Sequence, residues 1–166
     1  MNTRIVRAAG MAIMVVTVPL AGCSEGNSVD NAQPKATVAE TARKFQQAVL
    51  ERQWKTACEA RTELLRGGTV AECVQKTALP SVHDFSDARL TTGDPFAVDA
   101  YGKHPAGMGL LLSVEADPAR GLRWHTAVRL VPDADGKWLV DQLVHLSDEP
   151  EPPDTETVLA ALRERG

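Results

Sequence analysis

Apolar positions along this chain recur three to four residues apart before residue 80 and two apart after it, so helices are expected first and strands second. Val38, Ala42, Phe45 and Val49 follow Thr37-Val38-Ala39-Glu40, a capping box in which hydroxyl and carboxylate satisfy each other's backbone N–H groups. That spacing predicts a helix to about Arg52. A second helix is expected from Trp54, with Trp54, Ala57 or Cys58, Arg61 and Leu64 or Leu65 along one side. Gly67-Gly68 should stop it, as glycine past a helix end does. Thr69-Val70-Ala71-Glu72 repeats the capping box and opens a short third helix through Val70, Cys73, Val74 and Thr77, closed by Leu79-Pro80.

Beyond Ser81, residues 85–91 and 96–101 are short strand candidates separated by Gly93-Asp94-Pro95, and residues 103–107 form a loop. Met108, Leu110, Leu112, Val114 and Ala116 then alternate, followed by Leu122, Trp124, Thr126, Val128 and Leu130. After Pro132-Asp133-Ala134-Asp135-Gly136 come Trp138, Val140, Gln142, Val144 and Leu146, which makes the last two runs an antiparallel hairpin. Pairing Val131 with Lys137 puts Leu130 opposite Trp138, Val128 opposite Val140 and Trp124 opposite Val144, and one face becomes apolar throughout. The other face carries Arg123, His125, Arg129, Lys137, Asp141 and His145 among Ala127, Val131, Leu139 and Leu143. It is expected to be wet, although its aliphatic half also suits a second copy of the chain or a partner. Residues 148–153 are acidic and proline-rich, a stiff exposed link. Asp154 or Thr155 can cap a last helix with Val158, Leu159 and Leu162 on one side.

The amino terminus adds a different layer. Arg4 and Arg7 precede an apolar run over residues 8–20 that ends at Leu20-Ala21-Gly22-Cys23, the layout of an export signal. The run is shorter than the about 20 residues a lone membrane span needs. An ordinary cut after Ala21 would place Pro19 third back, a poor match to an Ala-x-Ala site. Leu-Ala-Gly-Cys resembles the bacterial lipoprotein signal, the lipobox. That resemblance implies a diacylglyceryl group on the Cys23 sulfur and cleavage before it, two chains being enough for stable anchoring. With Cys23 lipidated, the odd count of three cysteines leaves Cys58 and Cys73 to pair in an oxidising compartment and staple two helices across a glycine turn. A zinc or redox pair would need closer spacing or intervening histidines. The expected organisation is therefore a signal over residues 1–22, a flexible tether over 23–36, one domain over 37–147, and the acidic link with a short helix over 148–166.

Composition narrows the partners. All 22 acidic residues lie after the cut, as do all but two of the 18 basic ones, so the displayed part is more acidic than the −4 of the whole chain. Such a surface does not attract nucleic acid. Helices followed by antiparallel strands that close on Gly136-Lys137-Trp138 give an α+β layout. Over roughly residues 37–146 it resembles the NTF2-like (SnoaL-like, cystatin-like) cone, and in particular small actinobacterial lipoproteins of that type. The resemblance implies N-terminal helices packed in the hollow of a curved antiparallel sheet.

Some relatives of that fold are isomerases or dehydratases with a carboxylate or histidine in the cone. Asp99 and Tyr101 share a strand face, but Phe96, Val98 and Ala100 are the better core candidates, which leaves that pair facing solvent. His125, Asp141 and His145 fall on the outer face, while His83-Asp84 and His104 fall near loops. No HxH or HExxH spacing, GxSxG turn or complete phosphate loop is present, so no catalytic residue, metal ligand or cofactor is assigned. The expectation is a lipid-anchored envelope protein acting by binding. Phe45, Trp54, Trp124 and Trp138 are its candidate pocket lining for a small apolar ligand. Its rivals are an NTF2-like isomerase or dehydratase and an adaptor that docks an envelope protein on the outer sheet face; a homodimer is also compatible.

Overall fold

The computed structural model describes residues 32–78, 85, 87–117 and 120–164. The expected signal, Cys23, the stop at Leu79-Pro80 and His83-Asp84 lie outside them. The architecture is α+β: a five-stranded antiparallel sheet with helices on both faces. Its elements are α1 (Ala32–Leu50), α2 (Trp54–Glu59), α3 (Glu63–Arg66), α4 (Val70–Thr77), β1 (Arg89–Thr92), β2 (Phe96–Val98), β3 (Gly107–Asp117), β4 (Leu122–Pro132), β5 (Trp138–Ser147) and α5 (Thr155–Glu164).

Helix α1 begins at Ala32, so the Thr37 capping box lies inside it and residues 32–36, expected in the tether, are helical. Its end is a Schellman motif: Gln53 N–H bonds Ala48 C=O at 2.8 Å and Arg52 N–H bonds Val49 C=O at 3.1 Å. Arg52 takes the left-handed conformation, φ 59°, that glycine usually fills. The expected single helix from Trp54 to Leu65 is instead two, because tertiary pairing overrides local propensity. Val140 N–H bonds Ala60 C=O and Thr62 N–H bonds Val140 C=O, both at 2.8 Å, which draws residues 60–62 straight along the edge of β5. Thr62 then caps α3 through its hydroxyl, and Gly67, φ 64°, ends it. The Thr69–Glu72 capping box opens α4 as expected. Cys58 of α2 and Cys73 of α4 are disulfide-bonded, with Cα atoms 6.0 Å apart.

In the sheet, β1 and β2 share one edge of β3, and β4 and β5 follow. The hairpin register differs from the expected one. Pro132 faces Trp138, Val131 faces Leu139 and Leu130 faces Val140, two residues from the expected pairing. The turn sets this: Asp133 Oδ1 accepts from the Asp135 and Lys137 N–H groups, and Gly136 supplies φ 77°. A bulge then intervenes, so Arg129 faces Gln142 and Val128 faces Leu143. One extra residue reverses the side-chain alternation. Leu143 turns inward, while Gln142 and Val144 turn outward, against the expected set.

The two faces carry separate cores. Val38, Ala42, Phe45 and Ala48 of α1 pack with Leu110, Leu112, Val114, Val128, Leu130 and Val140. On the opposite face Val158, Ala161 and Leu162 of α5 pack on Val98, Ala127 and Val144. Gly109 permits that approach: a Cβ there would stand 3.0 Å or less from Val98, Phe96 and Leu162 side-chain atoms. The expectation of a wet outer face is thereby corrected. His125, Ala127, Arg129, Val131 and Asp141 are all buried, although His145 is exposed. The reason is that the last helix docks over Ala127 and Arg129, the link reaches His125 through Glu149, and His104 and Thr62 close on Asp141.

Candidate functional site

Three clusters bear on function. The first is an open cleft of about 310 Å³ between α1, α2 and the start of β5, with Phe45 and Trp138 among its walls. Ala60 adds apolar wall, and Lys44, Lys137 and Glu59 stand at its edge. Phe45 reaches it from the main core. Its ring also lies 5.4 Å from the Arg61 guanidinium carbon, a cation–π distance, and burial lowers the Arg61 pKa below its usual value. Trp124 lies elsewhere, edge-on to Phe85 with ring centroids 5.9 Å apart. Trp54 is half-buried and lines none of the clefts described here. The four candidate lining residues therefore do not converge, although two of them meet.

The second cluster is buried and polar, and gathers at the β5 bulge. Asp141 Oδ2 lies 2.6 Å from His104 Nδ1, and Asp141 Oδ1 accepts from the Thr62 hydroxyl at 2.9 Å. Beside it Arg129 is fully buried. Its Nε donates to Gln142 Oε1 at 3.1 Å, Nη1 to the carbonyls of Asp99 and Pro105 at 2.8 and 2.9 Å, and Nη2 to Leu162 C=O at 3.1 Å. Desolvation pulls the Arg129 pKa below its usual value, against the raising field of Asp141. One side chain thus ties β4 to the loop before β3 and to the end of α5. This is a clamp, since four of its five N–H donors are committed to the protein's own acceptors.

The third cluster was hidden by the expected wet face. His125 and Ser113 face each other across β3 and β4, with Ser113 Oγ 2.7 Å from His125 Nδ1. His125 Nε2 lies 3.0 Å from the Glu149 carbonyl oxygen. A carbonyl only accepts, so Nε2 donates to Glu149, and in the neutral tautomer this requires, Nδ1 accepts from the serine hydroxyl. Both residues line a cleft of about 350 Å³ walled by Pro150 and Pro152 of the link and by Arg89, Glu115 and Arg123. Register makes Arg89, Glu115 and Arg123 one cross-strand row and Thr91, Ser113 and His125 the next. The sequence signal was there in the alternation, but nothing in it said that residues 149–152 fold back over the strand ends.

Asp99 and Tyr101 are solvent-facing as expected; Asp99 pairs with Arg163 at 3.3 Å. Among the described residues no three His, Cys, Asp or Glu side chains gather as a metal site, and no helix is long and apolar enough to cross a membrane. No family model, curated protein or solved structure matches this chain.

Proposed function

We propose that the chain is an exported, lipid-anchored envelope protein with an NTF2-like domain, and that the domain holds a small ligand in the Phe45–Trp138 cleft. The ligand class is a flat apolar molecule with an anionic end. The observation that carries this reading is the meeting of Phe45 and Trp138 at one open cleft with Lys44 and Lys137 on its edge. The packing of α1 across one face of the antiparallel sheet supports the cone-like arrangement. The inner face of the strands presents Met108, Leu110, Leu112, Val114, Val128, Leu130 and Val140, without a buried carboxylate or histidine. Glu59 is the one carboxylate lining the cleft among the described residues. That favours holding a ligand over isomerase chemistry, which needs a base and hydrogen-bond donors around the substrate. The adaptor reading has less support, because α5 occupies the outer face over Ala127 and Val144.

Two measurements test the proposal. Anilinonaphthalene sulfonate, whose rings suit the aromatic wall and whose charge suits the lysines, should bind the folded mature protein one-to-one and quench tryptophan emission. Trp138→Ala should weaken it by about tenfold; unchanged affinity removes the cleft from consideration. Protein extracted from membranes should carry a diacylglyceryl mass on Cys23, and Cys23→Ser should release it to the soluble fraction. A bare amino terminus rules out the anchor.

A further inference from the structure

We infer that Ser113 is a reactive nucleophile with His125 as its general base, and that the cleft beside the proline-rich link hydrolyses small esters bearing an anionic group. This goes beyond ligand holding and concerns the opposite face of the sheet. The Glu149 carbonyl fixes the imidazole tautomer from one side, and the Nδ1 lone pair meets Ser113 Oγ at 2.7 Å on the other. That is the wiring an activated serine needs: a base within hydrogen-bond reach, itself oriented by a third group. A serine that only satisfied a buried histidine would not need to line a cavity of about 350 Å³, and this one does. Arg89 and Arg123 flank the row beside Ser113, and neither forms an ion pair within the described residues. Their guanidinium groups can serve the developing oxyanion and an anionic group on the substrate. Glu115 between them disfavours a second negative charge on that substrate.

The steps balance with water as the only co-reactant. Ser113 Oγ attacks the ester carbonyl carbon while its proton passes to His125 Nδ1. The ester C–O bond breaks, and the leaving alkoxide takes the proton from Nδ1. Water, deprotonated by the same nitrogen, attacks the acyl-serine; the acid departs and Oγ recovers its proton. The imidazolium formed on the way keeps its Nε2–H bond to Glu149. A carbonyl stabilises it less than a carboxylate would, so turnover should be slow.

The test is phosphonylation of the mature, disulfide-intact protein by a fluorophosphonate probe, with the labelled peptide identified by mass. Label is expected on Ser113, none on Ser113→Ala, and about tenfold slower labelling for His125→Gln. Ser147→Ala removes the serine that faces His125 from β5 and should label like the parent. Absence of label on Ser113, or parental labelling of His125→Gln, overturns the inference. Should His125→Gln fail to fold, the parent protein still decides: the adduct must be recovered on the peptide that carries Ser113, and label found only on other residues overturns it. Ser113→Ala should leave anilinonaphthalene sulfonate binding unchanged, so the two clefts stand or fall separately.

Discussion

Each face of the sheet is covered chiefly by one helix, yet by different physics. Helix α1 brings Val38, Ala42, Phe45 and Ala48 onto a strand face whose central positions are aliphatic, and that cover is apolar contact. Helix α5 is ten residues long and offers Val158, Ala161 and Leu162. Its floor contains a charged residue, Arg129, and a glycine, Gly109, that lets Leu162 come close. The long helix needs no special device. The short one needs a buried guanidinium on its Leu162 carbonyl, an ion pair from Arg163 to Asp99, and a cap at Asp154. A short cover with a small apolar face gains its position from directed polar bonds, and its docking is the easier of the two to loosen.

The largest test of this contrast is Phe45→Ala. It removes a buried ring from the main core and should cost about 3–5 kcal/mol in urea unfolding. Next comes the disulfide, which secures the helical layer beside α1: replacing Cys58 and Cys73 with serine should cost about 3 kcal/mol for this loop length. Arg129→Met keeps bulk but strips donors from the carbonyls of Asp99, Pro105 and Leu162 and from Gln142, at a cost of about 2 kcal/mol. Its distinguishing sign is regional. Amide exchange should accelerate most in α5 and the loop before β3, while Phe45→Ala should accelerate α1 and the sheet together. Equal acceleration of both helices in both variants would mean that the faces are one cooperative unit.

The same contrast explains what was legible in the chain. Val38, Ala42 and Phe45 show the α1 face directly, because apolar contact leaves a period that can be counted. Thr69 and Glu72 show their capping box because the motif is local. The α5 face is hard to read because its determinants are polar and distant. Arg129 looks like a wet strand residue until Leu162 and Pro105 are placed around it. The bulge at Asp141 carries no glycine or other local mark, and it alone moves Leu143 inward and Val144 outward. Residues 60–62 read as helix and become a strand-like edge only because Val140 pairs with them. The alternation places His125 on an outward position, but nothing in it singles out Ser113 as its neighbour. What encloses the two in one cleft is the link, expected to be stiff and exposed, whose Glu149 carbonyl meets His125.

The smallest effect should come from Asp154, which sharpens the contrast most. Its carboxylate accepts the Thr157 N–H at 2.8 Å, and that backbone bond, helped by the Thr157 hydroxyl, holds its pKa below the usual carboxylate value. A pKa lower in the folded state means that stability is present above the unfolded value, about 3.9, and is lost as pH falls through the folded one. Asp154→Ala should therefore speed exchange of the first-turn amides of α5 severalfold at neutral pH, and acid should do the same to the parent protein. The urea midpoint and the α1 amides should not move, because an exposed cap steadies one helix end and nothing behind it. A shift in either would show that the short cover is coupled to the long one through the sheet, and Arg129, which reaches from β4 to Leu162, is the side chain placed to transmit it.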